Sequence, residues 1–309
     1  MFRRKILRGG FILCFTNYDV WRSIVMERSF QAGGWKIGFN TWSFASLPLE
    51  SALRHIRDAG FVEVEINADK THLDPRVFPR SDLPSIRRLL NDLGLHPNSV
   101  HAPMSGVDLS AQSIDVKNRS IELIMKTLEY CRAIDCPILV VHPNNSSSIP
   151  LGREAMKKNS IENLKIIAEK AEDLGVKIAL ENMINVEGKR FGSRVSDLKE
   201  IIRSIGSPYL GICFDTGHAN LLAFSSNISI RDEIIDAKEY LWTLHIHDND
   251  GSDDQHLPPG DGNIDWNMVV EALRETDYKG VFMMEIREGE DPDFTAKRCL
   301  KIAAKIIQA

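Results

Sequence analysis

LWTLHIHDNDGSDDQHLPPGDGNIDW, residues 241–266, decides how this chain is read. An apolar run ends in His245, Ile246, His247 and Asp248. A polar loop with Asp254 and His256 follows, and a Pro-Gly turn closes it. A strand that delivers imidazoles and carboxylates into a loop has the form of one wall of a metal site.

The same pattern recurs on either side. Short β-rich runs at residues 35–40, 62–66, 96–101, 137–142, 176–181, 209–215, 241–247 and 280–286 alternate with stretches of helical period. The helical stretches are 48–59, 81–93, 113–134, 160–174, 195–205, a weaker one at 230–239, 266–275 and 294–307. Gly60, Gly94 and Gly175 stand where C-terminal caps belong, and Asp265 stands where an N-cap belongs. Eight strand–helix units over about 270 residues predict an α/β protein of the (β/α)8 TIM barrel type, a single domain spanning 35–309. A doubly wound open sheet is the structural alternative, and it does not explain why so many strands end in polar residues. No linker rich in Pro, Gly or Ser divides the chain.

Residues 1–34 read as an N-terminal extension. MFRRKILRGGFILCF is basic and then briefly apolar, but Gly9 and Gly10 interrupt it and no small-residue cleavage site follows cleanly. No run of about 18 apolar residues is present, so no membrane-spanning helix is expected. The net charge of −5 argues against bulk attraction to nucleic acid or to an anionic membrane. The five cysteines, Cys14, Cys131, Cys136, Cys213 and Cys299, show no framework spacing and read as reduced thiols of a cytoplasmic protein.

In a (β/α)8 barrel the functional groups sit at the C-terminal ends of the strands. Those ends carry His101, His142, Glu181, Asp215, His247 and Glu285, with His218 just after strand 6 and Asp254 and His256 in the loop after strand 7. A divalent cation is the simplest partner for such a cluster, because it offsets repulsion among buried carboxylates. Glu181, Asp215, His247 and Glu285 are the expected ligands. Mixed nitrogen and oxygen donors favour Zn, Mn, Co or Fe over Mg or Ca. His101 or His142 alone reads more readily as a core or hydrogen-bonding residue. His245 shares a face with His247 one layer deeper and reads as structural or as a support behind the metal ligands. Glu65 alternates with apolar residues on strand 2 and reads as a salt-bridge partner that could reach a ligand. Asn40 and Trp42, after strand 1, could line a pocket.

At these residues the sequence resembles the xylose-isomerase-like barrel superfamily, which holds sugar and sugar-phosphate isomerases and epimerases together with endonuclease IV. The motifs are SVHAP (99–103), VVHP (140–143), ALEN (179–182), CFDTGH (213–218), HIHDND (245–250), DQHLPPGDG (254–262) and MEIR (284–287), in order along the chain. The resemblance implies a metal-dependent sugar or sugar-phosphate isomerase or epimerase that works by proton transfer through a metal-stabilised enediolate. Glu181 and Glu285 would be both ligands and the acid/base pair. His218, His101, His142, His256, Asn40, Trp42 and Glu65 would contact a small carbohydrate substrate. Look-alike enzymes are often dimers or tetramers, so the resemblance is compatible with a homo-oligomer, while the sequence itself does not give the oligomeric state.

Endonuclease IV offers the second implication. Its three-zinc site uses nine ligands, with counterparts here in His101, His142, Glu181, Asp215, His218, His247, Asp254, His256 and Glu285. The chain departs from that family's loops after His101, around His218 and after His247, and no basic stretch with interleaved aromatics is visible for gripping DNA. A nucleic-acid partner is therefore not expected. A metal-stabilised sugar-binding protein without turnover is the third reading.

Overall fold

The computed structural model describes residues 34–69, 72–226 and 228–308. The expected extension, apart from Gly34, and Cys14 with it, lies outside these residues.

Eight parallel strands form one sheet: β1 (Lys36–Asn40), β2 (Glu63–Asn67), β3 (His96–His101), β4 (Ile138–Val141), β5 (Lys177–Glu181), β6 (Leu210–Asp215), β7 (Leu241–His245) and β8 (Val281–Met284). They lie in chain order, and β8 returns to pair with β1, as Phe39 opposite Met284 shows. Between β7 and β8 the ring is joined by a single bridge, Ile246 to Met284. Ile246 N donates to Met283 O at 2.8 Å, and Glu285 N donates to Ile246 O at 3.1 Å. The expected (β/α)8 TIM barrel is thus the observed fold. The strands are buried on both faces, and β4, ILVV, is wholly apolar because barrel and helices cover it on either side.

The helices are α1 (Leu49–Ala59), α2 (Leu83–Leu93), α3 (Ile114–Ala133), α4 (Arg153–Leu174), α5 (Val195–Ile205), α6 (Thr216–Ser225), α7 (Ile230–Ala237), α8 (Trp266–Glu275) and α9 (Pro292–Gln308). Two differ from the sequence expectation. Helix α4 starts at Arg153, not 160. Its first turns, REAMKKN, carry little apolar pattern beyond the fully buried Met156. Helix α6 was expected as loop. TGHANLLAFS is apolar nearly all round, so no stripe marks it, and the helix starts because the Asp215 carboxylate caps it by accepting from His218 N at 2.6 Å.

The main core lies between strands and helices. A smaller cluster of Ile138, Val140, Ala179 and Cys213, with Trp242 against it, comes from neighbouring strands. Residues two apart on a strand share a face. Ala179 and Cys213 in that cluster therefore set Glu181 and Asp215 on the same face, one layer nearer the C-terminal mouth. Apolar residues plug the barrel, and acids cap the plug.

Candidate metal centre

The site is built on Glu65. This carboxylate is fully buried on β2 and accepts from Asn40 Nδ2 at 2.5 Å, Ser99 Oγ at 2.7 Å and His245 Nε2 at 3.0 Å. The bond to Nε2 fixes the ring, so Nδ1 of His245 turns to the opposite side. There it lies 3.3 Å from Glu285 Oε2, 3.4 Å from Glu181 Oε2 and 3.9 Å from Asp215 Oδ2. Asn40 and Glu65 are buried beneath the site, where Glu65 is the salt-bridge partner of His245 and Asn40 donates to Glu65.

Above them three carboxylates converge. Glu181 ends β5, Asp215 ends β6 and Glu285 follows β8. One donor atom from each, with one from His245, lies within 4.8 Å of the others. His101 Nε2 and His142 Nε2 reach Glu181 Oε2 at 3.3 and 3.2 Å, and His218 Nδ1 reaches Glu181 Oε1 at 3.2 Å. Burial by itself raises the Glu181 carboxyl, but His142, His245 and His101 overcome it and hold Glu181 well below the usual carboxylate range. Glu285 goes the other way: burial pushes its carboxyl up, and the charge on Glu181 adds to that against the nearby histidines. Burial pushes His142 down to about 4. For His101, burial is outweighed by Glu181, and the ring is raised to about 9.

The second half of the site comes from the first turn of α6 and the loop after β7. His218, His247, Asp254 and His256 also bring one donor atom each within 4.8 Å of one another. The rings of His247 and His256 stack with centroids 3.8 Å apart. His247 Nε2 lies 2.9 Å from Asp215 Oδ2, so Asp215 joins the two halves. His256 Nε2 lies 3.0 Å from Asp254 Oδ2. Asp248 secures the loop. Its carboxylate accepts from Asn249 N, Gly260 N, Ile264 N and Trp266 Nε1 at 2.8–3.2 Å.

The donor set fits a divalent cation. His245 Nδ1, His247 Nδ1 and Asp254 Oδ1 are buried and have no hydrogen-bond partner, which is costly unless something else satisfies them. Three buried acids within a few ångströms of each other also need positive charge. Glu181, Asp215 and Glu285 gather round His245, while His247 reaches Asp215 from the side of His218 and His256. Every residue of the expected nine is joined to another of them by contacts of 3.7 Å or less.

A cavity of about 280 Å³ opens over this cluster. Trp42, Met104, Ile184 and Arg190 line it together with the histidines and the acids. Trp42 meets His256 edge to face, with centroids 4.7 Å apart.

Residues 53–304 match the family described as xylose isomerase-like TIM barrel. The chain belongs to that family. Within the xylose isomerase-like barrels, it is 32% identical to the uncharacterized protein MJ1311 of Methanocaldococcus jannaschii over 88% of this chain and 90% of that protein. Among solved structures it resembles a D-tagatose 3-epimerase-like protein, with TM-score 0.74, 28% identity and coverage of 88% of this chain and 97% of that one. An inosose isomerase of Bacillus velezensis is 27% identical over 59% of this chain and 65% of its own length. A probable endonuclease 4 of Natranaerobius thermophilus is also 27% identical, over 65% of this chain and 74% of its own.

Three residues that shape the site were not legible as such in the sequence. His245 reads as structural or as a support behind the ligands, because alternation places it on the His247 face but does not say which ring nitrogen meets the acids. Arg190 and Asp248 lie in loops, where no periodicity marks an inward side chain. The closest signal for Asp248 is the run of loop glycines and the tryptophan that it binds. Among the described residues no helix is long and apolar enough to cross a membrane.

Proposed function

We propose that this barrel is a divalent-metal-dependent isomerase or epimerase acting on a keto sugar or its phosphate. One observation carries the reading. The carboxylates of Glu181 and Glu285, delivered three strands apart, both reach the same nitrogen of His245 at 3.4 and 3.3 Å on the floor of a sugar-sized cavity. Their environments push them apart, Glu181 down and Glu285 up, which is the signature of an acid/base pair.

Glu181, Asp215, His247 and Glu285, with His245 Nδ1 beside them, would hold a divalent cation (Zn, Mn, Co or Fe), which would supply Lewis acidity to a carbonyl in the cavity. Glu181, ionised, takes a proton from the carbon next to the carbonyl. Glu285 would return one from another side. His101 and His142 fix the Glu181 carboxylate. His218 donates from Nδ1 to Asn182 O at 2.8 Å, so Nε2, 3.6 Å from Asp254 Oδ2, is the nitrogen that a substrate hydroxyl would meet. Trp42 gives the sugar an apolar wall. The epimerase-like structure and the inosose isomerase relative support this substrate class. Four free buried cysteines agree with a reducing compartment.

The test is solvent exchange. Metal-replete protein in deuterium oxide should incorporate deuterium at the carbon next to the carbonyl of at least one member of a ketose panel. Glu181→Gln and Glu285→Gln should each slow this by about 10²–10⁴-fold. No exchange with any ketose removes the reading.

A second reading is favoured by one observation: the His218, His247, Asp254 and His256 group beside the first makes room for more than one ion. Such a site suits phosphodiester hydrolysis, and the endonuclease 4 relative supports it. About one metal per chain favours the isomerase. About three, with incision of an abasic duplex, favours the phosphodiesterase.

A further inference from the structure

Arg190 lines the metal cavity and is 6% exposed. It stands in the loop between β5 and α5, and that loop is tightly held. Arg190 Nε donates to Asn144 Oδ1 at 2.9 Å, and Nη2 donates to Asn144 O at 3.0 Å. Asn144 Nδ2 donates back to Phe191 O at 2.6 Å. Arg153 Nη1 donates to Arg190 O at 2.6 Å and is itself paired with Asp197. Gly192 has φ 86°, and a side chain there would press on Pro143 and Asn144. The guanidinium is therefore aimed by its surroundings, with Nη1 left over.

Its charge has no partner. Among the described residues no carboxylate lies within 4.0 Å of Arg190, although a buried cation is costly unless paired. Two acids act on it from farther away, and both are engaged elsewhere. Glu181 is held by three histidines. Asp108 is satisfied by Ser110, Asn145, Ser147 and Ser148 at 2.5–3.1 Å. Burial pulls the guanidinium down only to about 10, so it is charged at neutral pH. An arginine needed only to brace Asn144 could be replaced by a neutral donor. A fixed cation facing a ligand cavity is what binds an anionic group.

Building on the isomerase reading, we propose that Arg190 forms an anion subsite in the metal cavity, and that the substrate is a keto sugar bearing a phosphate or a carboxylate. The first test uses metal-loaded protein and inorganic phosphate at one ionic strength, followed by titration calorimetry. Arg190→Gln should weaken phosphate binding by about tenfold or more, with metal content unchanged and a cooperative melt retained. Arg190→Lys, which keeps the charge but not the planar fork, should fall between. Equal affinity in wild type and Arg190→Gln overturns the proposal. So does a change in metal retention alone, which would mean that Arg190 only balances Glu181.

The second test needs no variant. The wild-type protein should exchange deuterium into a ketose phosphate or a keto sugar acid with kcat/KM at least about tenfold above the parent neutral ketose, and the better arm names the anion. Equal kcat/KM for neutral and charged ketoses overturns the subsite and keeps the isomerase. Arg190-dependent phosphate binding without exchange on any ketose keeps the subsite and removes the isomerase. Arg190-dependent incision of an abasic duplex overturns the sugar substrate and makes the bound anion a phosphodiester.

Discussion

His245 and His256 both turn an imidazole toward the acids of the site, but they are held there by different means. His245 ends a strand. Its backbone is fixed by the ladder to β6 and its ring by a fully buried carboxylate, Glu65, 180 residues away. His256 sits in a loop with φ 49°, a conformation non-glycine residues seldom adopt. Its ring meets Glu285 O at 3.1 Å and Asp254 Oδ2 at 3.0 Å, and its loop is held by the Asp248 carboxylate together with a backbone pair between Asp248 and Leu257 and side-chain ties to Asn220, Arg287 and Arg298. The floor of the site is thus a buried charge network inside the barrel. The outer wall is a loop held mostly by side-chain bonds, with Asp248 making more of them than any other residue in it. Damage to the two should separate: floor lesions should cost global stability, and wall lesions should loosen the loop.

Glu65→Ala should have the largest effect. It strands His245, Asn40 and Ser99 without their acceptor, and breaking one side of such a network costs about 3–5 kcal/mol. Chemical denaturation of metal-free protein measures it, and Glu65→Gln, which keeps an acceptor, should lose less. Asp248→Ala comes next, at about 2–3 kcal/mol, from four donors left without their charged acceptor. Hydrogen exchange should rise across 249–264 while the strands stay protected. If Asp248→Ala instead lowered protection throughout the barrel, the division into floor and wall would be wrong.

Gly217→Ala tests the seam between the two. A Cβ at Gly217, in the first turn of α6, would overlap the His247 ring. The backbone there is anchored by the Asp215 cap, so the ring gives way. The expected loss of stability is on the order of 1 kcal/mol. Metal affinity should fall more clearly than stability, since His247 is displaced from Asp215. Metal titration and thermal melting on the same sample decide it.

The same contrast explains what the sequence could reveal. Strand periodicity put Glu181 on the face of Ala179 and Asp215 on the face of Cys213, so the acids on the rim could be read directly. The barrel followed from the count of units. The pairing of Glu65 with His245 could not be read, because it depends on how β2 and β7 face each other across the closed ring. Helix α6 was hidden by an apolar surface on all sides, and the early turns of α4 by the want of one. Arg190 and Asp248 work from loops, where a residue's direction is set by bonds to distant partners and not by spacing.

The smallest predicted effect is on pH dependence, and it sharpens the picture of the floor. In metal-free protein His101 is raised from its ordinary value of 6.5 to about 9, burial being outweighed by Glu181. The folded state therefore holds this proton more tightly than the unfolded chain does. Its stabilising effect is complete below about pH 6.5 and is lost as pH rises through 9. His142 is lowered to about 4, mainly by burial. Its neutral form stabilises the fold above pH 6.5, and that contribution is lost as pH falls through 4. Melting temperature in the presence of chelator should therefore peak near pH 6.5 and fall by a few degrees on either side. Metal reverses the alkaline half. A ligand nitrogen must be deprotonated to bind, so metal-loaded protein should hold or gain stability between pH 7 and 9 where the metal-free protein loses it. If both forms decline together above pH 7, His101 keeps its proton with metal present and is a hydrogen-bond partner of Glu181, not a ligand.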